Sequence, residues 1–301
     1  MEHLAMSLEE LDEVTEDVRT RYPEVNFPDY RMENIFRGMN RADSELIKGR
    51  KAIVLTQERI DPKTKRLFAD DYTAAICSDQ YMLIPHEWAI WRFEKILTES
   101  EAFTPFGRAM INPSLMGNGG AKMRLTATFP ESEIKIGDDL INPKAGIKNS
   151  LDLSLEWEPW FGGRVKRCTN GLLMWGNLIS GGRKHKLSLN LEQNINRLIS
   201  GVDKMDEMFA IWDQWSKKKL SQADAFEMLE ASPLSEKQVE NIKKLPEIGT
   251  NIRLDQQKEV TQWFVNSVVT QYIEHEMDNT PSRMQTEEKI TNYLNKQFNK
   301  K

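Results

Sequence analysis

The spacing of apolar residues changes once along this chain of 301 residues, near Ser188. Before that point, short segments either alternate apolar with polar residues or are rich in β-branched residues, as strands are. From Leu191 to Trp212, apolar residues recur at steps of four and three, which indicates a helix that packs on another helix. Runs of strands followed by runs of helices favour an α+β fold over a doubly wound parallel sheet.

The chain divides into three predicted parts. We expect an acidic helix and an extended connector over residues 1–45, an α+β domain over residues 46–188, and a helical region over residues 189–301. The predicted fold class is therefore α+β: an N-terminal half rich in antiparallel sheet, with a packed helix, followed by an all-helical C-terminal half. A chain of this length can bury a sizeable core.

Local signals predict the individual elements. A capping box at Ser7 and Glu10 predicts a helix over residues 8–21, and Pro85 predicts the start of a helix over residues 86–99. The remaining predicted elements are strands at 50–57 and 66–77, a hairpin of 102–112 and 121–129, and helices at 188–219, 221–231, 235–244, 255–277 and 282–298.

A second pair of strands is predicted at the centre of the α+β domain. Residues Leu151 to Trp157 alternate with period two, which predicts a half-buried strand. Pro159 and the pair Gly162-Gly163 predict a turn. Residues Arg164–Thr169 are then expected to return antiparallel to the first strand.

Positive charge is concentrated after this turn. Between Pro159 and Leu191 there are six basic residues and no acidic ones, although the whole chain has a net charge of −5. Aromatic rings beside cations are what single-stranded nucleic acid uses, and we expect Trp160 to be exposed. The candidate nucleic-acid-binding residues are Trp160, Arg164, Lys166, Arg167, Arg183, Lys184 and Lys186. The alternative is that these charges only solvate a strand and a loop.

Composition limits the function classes. A sequence pI near 5.6 argues against coating of duplex DNA by bulk charge, but a local basic groove remains compatible with it. The longest apolar run, Gly171 to Ile179, is too short to span a bilayer, and the acidic N-terminus does not resemble a secretory signal. Cys77 and Cys168 have no metal or redox spacing, so we expect a reduced, cytoplasmic protein without a membrane partner.

Signals for catalysis or cofactors are weak. Asp138 with Asp139, and Glu156 with Glu158, are paired acids of a kind that is common on surfaces, and the four histidines form no metal-binding pair. We therefore expect no metal, no cofactor and no catalytic residue. The alternative is an enzyme that uses Cys168 with His275, which requires the fold to bring them together. We expect instead that Cys168 is buried and unmodified.

Several segments of the chain form a recognisable set of motifs. The most specific is Arg164-Val165 followed by Arg167-Cys168-Thr169-Asn170-Gly171-Leu172. The others are Asp79-Gln80-Tyr81 with Pro85-His86-Glu87, Gly137-Asp138-Asp139-Leu140-Ile141 with Pro143, Asn149-Ser150 with Asp152, and the stretch from Asn266 through Tyr272 to His275. Together these segments resemble the phage/plasmid-like protein family, domain of unknown function 932. The chain departs from the pattern at Lys166 and in having Trp157-Glu158-Pro159-Trp160.

The resemblance implies an accessory protein of a phage or plasmid that acts in a bacterial cytoplasm, and it implies no agreed activity. Our leading hypothesis is a non-enzymatic protein that binds single-stranded or incoming DNA through the Trp160 to Lys186 region. The alternative is a protein-binding inhibitor of a host enzyme or antiviral defence complex, with the acidic N-terminus and the helices as its interface. Self-association through the 191–212 seam is a further expectation.

Overall fold

The structure is a computed structural model, and it has antiparallel sheets in the N-terminal half and helices in the C-terminal half. The predicted α+β class is therefore confirmed. The structure describes residues 6–37, 45–60, 64, 67–78, 81–155, 157–165, 191–202, 204–247, 251–277 and 281–298.

The N-terminal part comprises one helix and a three-stranded antiparallel sheet. Helix α1 (Leu8–Arg21) begins at the predicted capping box, in which Ser7 Oγ accepts from the backbone N–H of Glu10. The sheet has the order β1 (Asp29–Arg37), β2 (Glu45–Ile60) and β3 (Leu67–Ser78). The expected extended connector over residues 22–45 is therefore wrong in part, because β1 lies within it.

The central layer is a five-stranded antiparallel sheet. It consists of β4 (Met110–Met116), β5 (Lys122–Thr128), β6 (Ile134–Ile136), β7 (Asp139–Ser150) and β8 (Glu158–Val165). β5 and β8 flank β7 on opposite sides, β4 pairs with β5, and β6 pairs with the start of β7. The sequence pattern predicts one antiparallel sheet over about residues 50–188, and this prediction is wrong, because β1–β3 pair only with one another among the described residues and form a separate sheet.

One helix packs on the central sheet as predicted. Helix α2 (His86–Glu99) buries Ala89, Ile90 and Phe93 at helical spacing. A 3₁₀ helix follows at Glu101–Phe106.

In its described residues, the C-terminal half has six α-helices and one pair of three-residue strands. The elements are α3 (Leu191–Val202), α4 (Met205–Lys217), β9 (Lys219–Ser221), α5 (Gln222–Glu230), α6 (Glu236–Lys244), β10 (Glu259–Thr261), α7 (Gln262–Gln271) and α8 (Pro281–Phe298). A π-helical turn, Tyr272–Glu276, extends α7. β9 and β10 pair antiparallel, so the expectation that no strand follows residue 200 is wrong.

The heptad seam forms two helices rather than one. The break between α3 and α4 follows Gly201, whose carbonyl accepts from the N–H of Lys204. The described seam residues pack into the core of the same chain: Leu198, Val202, Met205, Phe209 and Trp212 are all buried. They therefore offer no free apolar surface for the self-association that the sequence suggested.

The segment between β7 and β8 is a loop, not the predicted strand. Leu151 and Trp157 are buried, but Leu153 has a φ of 65° and is 41% exposed. Ser150 Oγ accepts from the N–H of Leu155 and donates to its carbonyl oxygen, both at 3.0 Å, which closes the loop. The period-two pattern therefore belongs to a loop in which the two end residues, Leu151 and Trp157, are buried.

Strand β8 runs through the residues that predicted a turn. Pro159 and Gly162-Gly163 all pair with β7. Among the described strands β8 pairs only with β7, and such an edge position tolerates a proline that lacks an N–H. Within the described part of the chain, no helix is long and apolar enough to cross a membrane.

Candidate functional site

The central sheet has two chemically different faces. Residues that are register partners in adjacent strands point to the same face, and the face alternates along each strand. One face contains Met123, Leu125, Ile141, Ile147 and Phe161, all in the main hydrophobic core. It packs against helices of both halves, and α2 is among them.

The opposite face, called here the basic face, carries the polar residues of the same strands. Its register rows pair Arg124 with Lys148, Thr128 with Lys144, and Asn142 with Arg164. On the described strands β5, β7 and β8, its basic residues are Lys122, Arg124, Lys144, Lys148 and Arg164. These five basic residues contrast with the net charge of −5 of the whole chain.

The cations at the centre of the basic face are buried. Arg124, Lys144 and Lys148 are each less than a tenth exposed. Like charges directly opposite one another in a sheet are destabilising, so the pairing of Arg124 with Lys148 requires anionic groups nearby.

One such group comes from the C-terminal helix. Arg124 donates from Nη1 and Nη2 to the two carboxylate oxygens of Glu287 on α8, at 3.1 and 3.2 Å. This two-pronged geometry is the strongest that an arginine and a carboxylate form. The pair therefore ties α8 to the basic face across 163 residues of sequence.

The ring of Trp160 lies in the middle of the basic face. The guanidinium carbon of Arg124 is 5.0 Å from its centroid, within the range of a cation–π contact. Gly146 is the register partner of Trp160, and a Cβ at Gly146 would come within 2.4 Å of the indole. The absence of a side chain at Gly146 is what lets the ring lie flat against the sheet.

The expected exposure of Trp160 is wrong, because it is 3% exposed. Its position in β8 over Gly146, rather than beside a turn, explains the burial. Arg164 is half-buried at the end of the same face. The other predicted binding residues, Lys166, Arg167, Arg183, Lys184 and Lys186, lie outside the described residues, as do Cys168, Thr169, Asn170 and Gly171.

The periphery of the basic face is more accessible. Lys122 Nζ lies 3.7 Å from a carboxylate oxygen of Asp152, and the two side chains are 14% and 19% exposed. Arg164 is the last described residue but one of β8, and the sequence continues directly into Lys166 and Arg167. The basic face and the predicted basic segment are thus consecutive along the chain.

Two of the segments that carry the family resemblance meet on the apolar side. Asn149 Nδ2 donates to Nδ1 of His86 at 3.0 Å and to the Ile84 carbonyl at 2.9 Å. With Nδ1 accepting, Nε2 carries the proton and donates to the Gly120 carbonyl at 3.0 Å. Burial lowers the pKa of His86 to about 4, so the ring is neutral at pH 7.

The remaining motif residues are divided between core and surface. Asn266 and Tyr272 are buried on α7 and the π-turn, and His275 is exposed. Asp139 is buried and accepts from Trp263 Nε1 at 2.8 Å, whereas Asp138 is exposed. Asp138 and Asp139 therefore do not share one site.

No described group of three or more histidine, cysteine, aspartate and glutamate side chains is arranged to hold a metal ion. Cys77, the described cysteine, is buried, and desolvation raises the pKa of its thiol.

Sequence reasoning missed the three buried cations of the basic face. The signal for Arg124 was present: residues 122–128, Lys-Met-Arg-Leu-Thr-Ala-Thr, alternate polar with apolar. Lys144 and Lys148 were missed because Pro143 and Gly146 are typical of a loop.

Comparisons of the chain with protein-family models, with curated proteins and with solved structures gave no match.

Proposed function

We propose that this chain is a non-enzymatic accessory protein of a phage or plasmid that binds single-stranded nucleic acid in the bacterial cytoplasm. The observation that carries the proposal is the register of β5, β7 and β8, which places five basic side chains on one sheet face. The family resemblance supports the phage or plasmid setting.

Charge at the basic face supports a polyanionic partner. Cations held in a low-dielectric layer project their field outward more strongly than cations in water do. Glu287 pairs with Arg124 and Asp152 lies beside Lys122, and the strands place five basic residues together on this face. A backbone of phosphates is the partner whose affinity depends most directly on such a field.

The proposal assigns different roles to the buried and the peripheral cations. Arg124, Lys144 and Lys148 are too buried to contact a phosphate in this conformation, so they supply field and structure. Arg164 and the basic residues that follow it supply the contacts. Trp160 is excluded as a base-stacking platform because its ring is buried under Arg124.

The test is the salt dependence of binding to a labelled single-stranded oligonucleotide. Each phosphate contact contributes about 0.7 to the slope of log K against log salt for single strands. We expect the double variant Lys184→Ala/Lys186→Ala to weaken binding for every sequence tried and to flatten the slope by about one to two units. The matched control, Lys217→Ala/Lys244→Ala, removes two exposed lysines of the helical half and should leave the slope unchanged.

Two results would contradict the proposal. One is the absence of binding at low salt by the folded wild-type protein. The other is equal affinity and slope for the wild type and the Lys184/Lys186 variant. Either result would favour a protein partner, and binding of the folded wild-type protein to host proteins would then be tested.

A further inference from the structure

A cavity of about 650 Å³ lies at the edge of the central sheet, away from the buried centre of the basic face. Its walls are α1, the segment 24–29, strand β4 and the glycine turn that follows β4, and it touches the three-stranded sheet at Thr56 and Ala69. This volume is in the range of small-molecule sites and exceeds what an inorganic ion needs.

Arg19 provides an anchored cation in the wall of the cavity. Its Nε donates to Glu87 at 2.8 Å, and the Glu87 side chain is only 1% exposed. Its Nη1 donates to Asp29 at 2.9 Å, and the Asp29 side chain is 72% exposed. Glu87 therefore fixes the guanidinium, while Asp29 is a solvated partner that another anion can replace.

The geometry of the Arg19 guanidinium determines which kind of anion could replace Asp29. An arginine fork matches the oxygens of a phosphate or carboxylate. The third acceptor at Arg19, the Pro28 carbonyl, is 3.4 Å from Nη2, which is a long and weak hydrogen bond. A tetrahedral phosphate could take the place of both Asp29 and this carbonyl.

The wall formed by the glycine turn is main chain. Gly117, Gly119 and Gly120 all line the cavity and have φ values of 80°, 60° and 73°. Their positive φ values are the reason for glycine here, and the space of the missing Cβ at Gly119 is filled by the side chain of Tyr72, 2.6 Å away. The buried His86 donates a hydrogen bond from Nε2 to the Gly120 carbonyl, and this bond fixes the position of the turn.

The other walls carry the exposed carboxylate of Glu24 and two uncharged hydrogen-bonding groups. Asn26 and Asn112 line the cavity, are exposed, and make no side-chain hydrogen bond within the described part of the chain. Apolar surface lies beside them, from Phe27, Pro113 and Leu115. Asparagine amides pair with the edges of nucleobases, and adenine offers them a donor and an acceptor side by side.

We infer that this cavity binds a nucleoside phosphomonoester, with the phosphate at Arg19 and the base towards Asn112. The phosphomonoester is either a free mononucleotide or the 5′-phosphorylated end of a strand. The inference does not require the basic face to bind nucleic acid, because it rests on different residues.

Isothermal titration calorimetry of the full chain with deoxyadenosine 5′-monophosphate tests the inference, with deoxyadenosine and inorganic phosphate as comparison probes. We expect the nucleotide to bind more tightly than either fragment. Asp29→Asn removes the competing carboxylate and should tighten nucleotide binding by about two- to fivefold. Asn112→Leu should weaken it by about tenfold and leave phosphate binding unchanged.

The matched control for Asp29→Asn is Asp213→Asn, which removes an exposed partner of Lys217 on α4 and should not change nucleotide affinity. Circular dichroism establishes that each variant is folded. The inference is overturned if the folded wild type shows no nucleotide binding at millimolar concentration. It is also overturned if Asp29→Asn and Asp213→Asn behave alike.

Two oligonucleotides distinguish the sources of the phosphate. Tighter binding of a 5′-phosphorylated strand than of its 5′-hydroxyl counterpart, lost in Asn112→Leu, assigns the cavity to strand ends. Equal binding of the two strands, with mononucleotide binding intact, assigns it to free nucleotides. Failure of the basic-face proposal would remove binding of the 5′-hydroxyl strand without affecting the mononucleotide, so the two failures can be told apart.

Discussion

The two faces of the central sheet are built from alternate residues of the same strands, but they bury different kinds of side chain. On the apolar face, polar groups are few and hydrogen-bonded, as in the neutral pair His86 and Asn149 and in Asp139, which accepts from Trp263. On the basic face, Arg124, Lys144 and Lys148 are as deeply buried but are cations.

The two faces differ in what their burial contributes to stability. An apolar layer stabilises in proportion to its buried area, and a layer of like charges must recover a large desolvation cost from counter-charges. A row of buried cations is therefore an expensive way to fill one side of a sheet. That cost is the physical reason for looking to the basic face for function.

The largest expected effect comes from breaking the carboxylate contact to the basic face. Glu287→Ala leaves Arg124 without its two-pronged partner in a buried setting, which costs about 3–5 kcal/mol of unfolding free energy. Urea denaturation followed by circular dichroism measures the loss. The exposed pair Asp213 and Lys217 is the control, and Asp213→Ala should cost less than about 1 kcal/mol.

The double variant Arg124→Met/Glu287→Leu separates the charge from the packing. Replacing a buried pair with apolar residues of similar size is often neutral, so this variant should be far more stable than Glu287→Ala. If the two variants lose equal stability, the contact matters through shape and not through charge. The contrast between the two faces would then be weaker than described above.

The next effect compares one glycine on each face. A Cβ at Gly146 on the basic face would lie 2.1 Å from the Leu125 carbonyl oxygen, whereas a Cβ at Gly163 on the apolar face would meet the Ile141 side chain at 2.4 Å. A backbone atom cannot rotate away, so Gly146→Ala should cost about 3 kcal/mol. Gly163→Ala should cost about 1–2 kcal/mol because side chains can repack. Thermal unfolding of both variants decides the order, and a larger loss at Gly163 would contradict it.

The sequence predicts an element of this fold well when the residues that determine the element are close together along the chain. The helices at 8–21, 86–99, 222–230 and 236–244 agree with local caps and periodicity, because those signals act within a few residues. β7 and β8 were missed because their prolines and glycines predict turns. Tertiary packing allows these glycines within strands. The Trp160 ring covers Gly146, and a Cβ added at Gly163 would lie 3.0 Å from the Trp212 ring.

The candidate site was predicted still less completely, for a related reason. The sequence identified Arg164 as a candidate, but it could not show that Arg124 and Lys148, which are 24 positions apart, are direct register partners. Pairing between strands is a nonlocal property, so only the structure supplies it. The cavity beside Arg19 was missed for the same reason, since its walls come from α1, β4 and the three-stranded sheet.

The third prediction concerns the neutral pair on the apolar face. The folded pKa of His86 is about 4, below the usual value of 6.5, so the unfolded chain binds more protons between these two pH values. The contribution of His86 is therefore fully present above pH 6.5 and is lost as the pH falls towards 4. The loss should be on the order of 2 kcal/mol, measured by urea denaturation across that window.

His86→Gln keeps a donor for the Gly120 carbonyl and removes the titration. The stability of this variant should fall less steeply between pH 6.5 and 4 than that of the wild type. Burial raises the pKa of Glu87, although Arg19 opposes the shift, so Glu87 contributes with the opposite sign. That contribution is common to both proteins and cancels in their difference. Parallel pH profiles would show that His86 titrates normally in the folded protein.

The smallest expected effect on stability separates the periphery of the basic face from its centre. Arg164 is half-buried at the end of β8, so Arg164→Gln should change the unfolding free energy by less than about 0.5 kcal/mol. The same substitution removes one proposed phosphate contact. It should weaken binding of a single-stranded oligonucleotide equally for all sequences and lower the salt slope by about 0.7.

The combination of these two readouts is what makes Arg164 informative. A stable variant with a flatter slope of log K against log salt would mean that the periphery of the basic face contacts nucleic acid. The cations at its centre would then contribute to the fold. A variant that loses several kcal/mol would show that Arg164 belongs with Arg124 as a buried structural cation. A stable variant with an unchanged slope would mean that the phosphate contacts come only from the segment after β8, because a cation that binds a phosphate must contribute to counterion release.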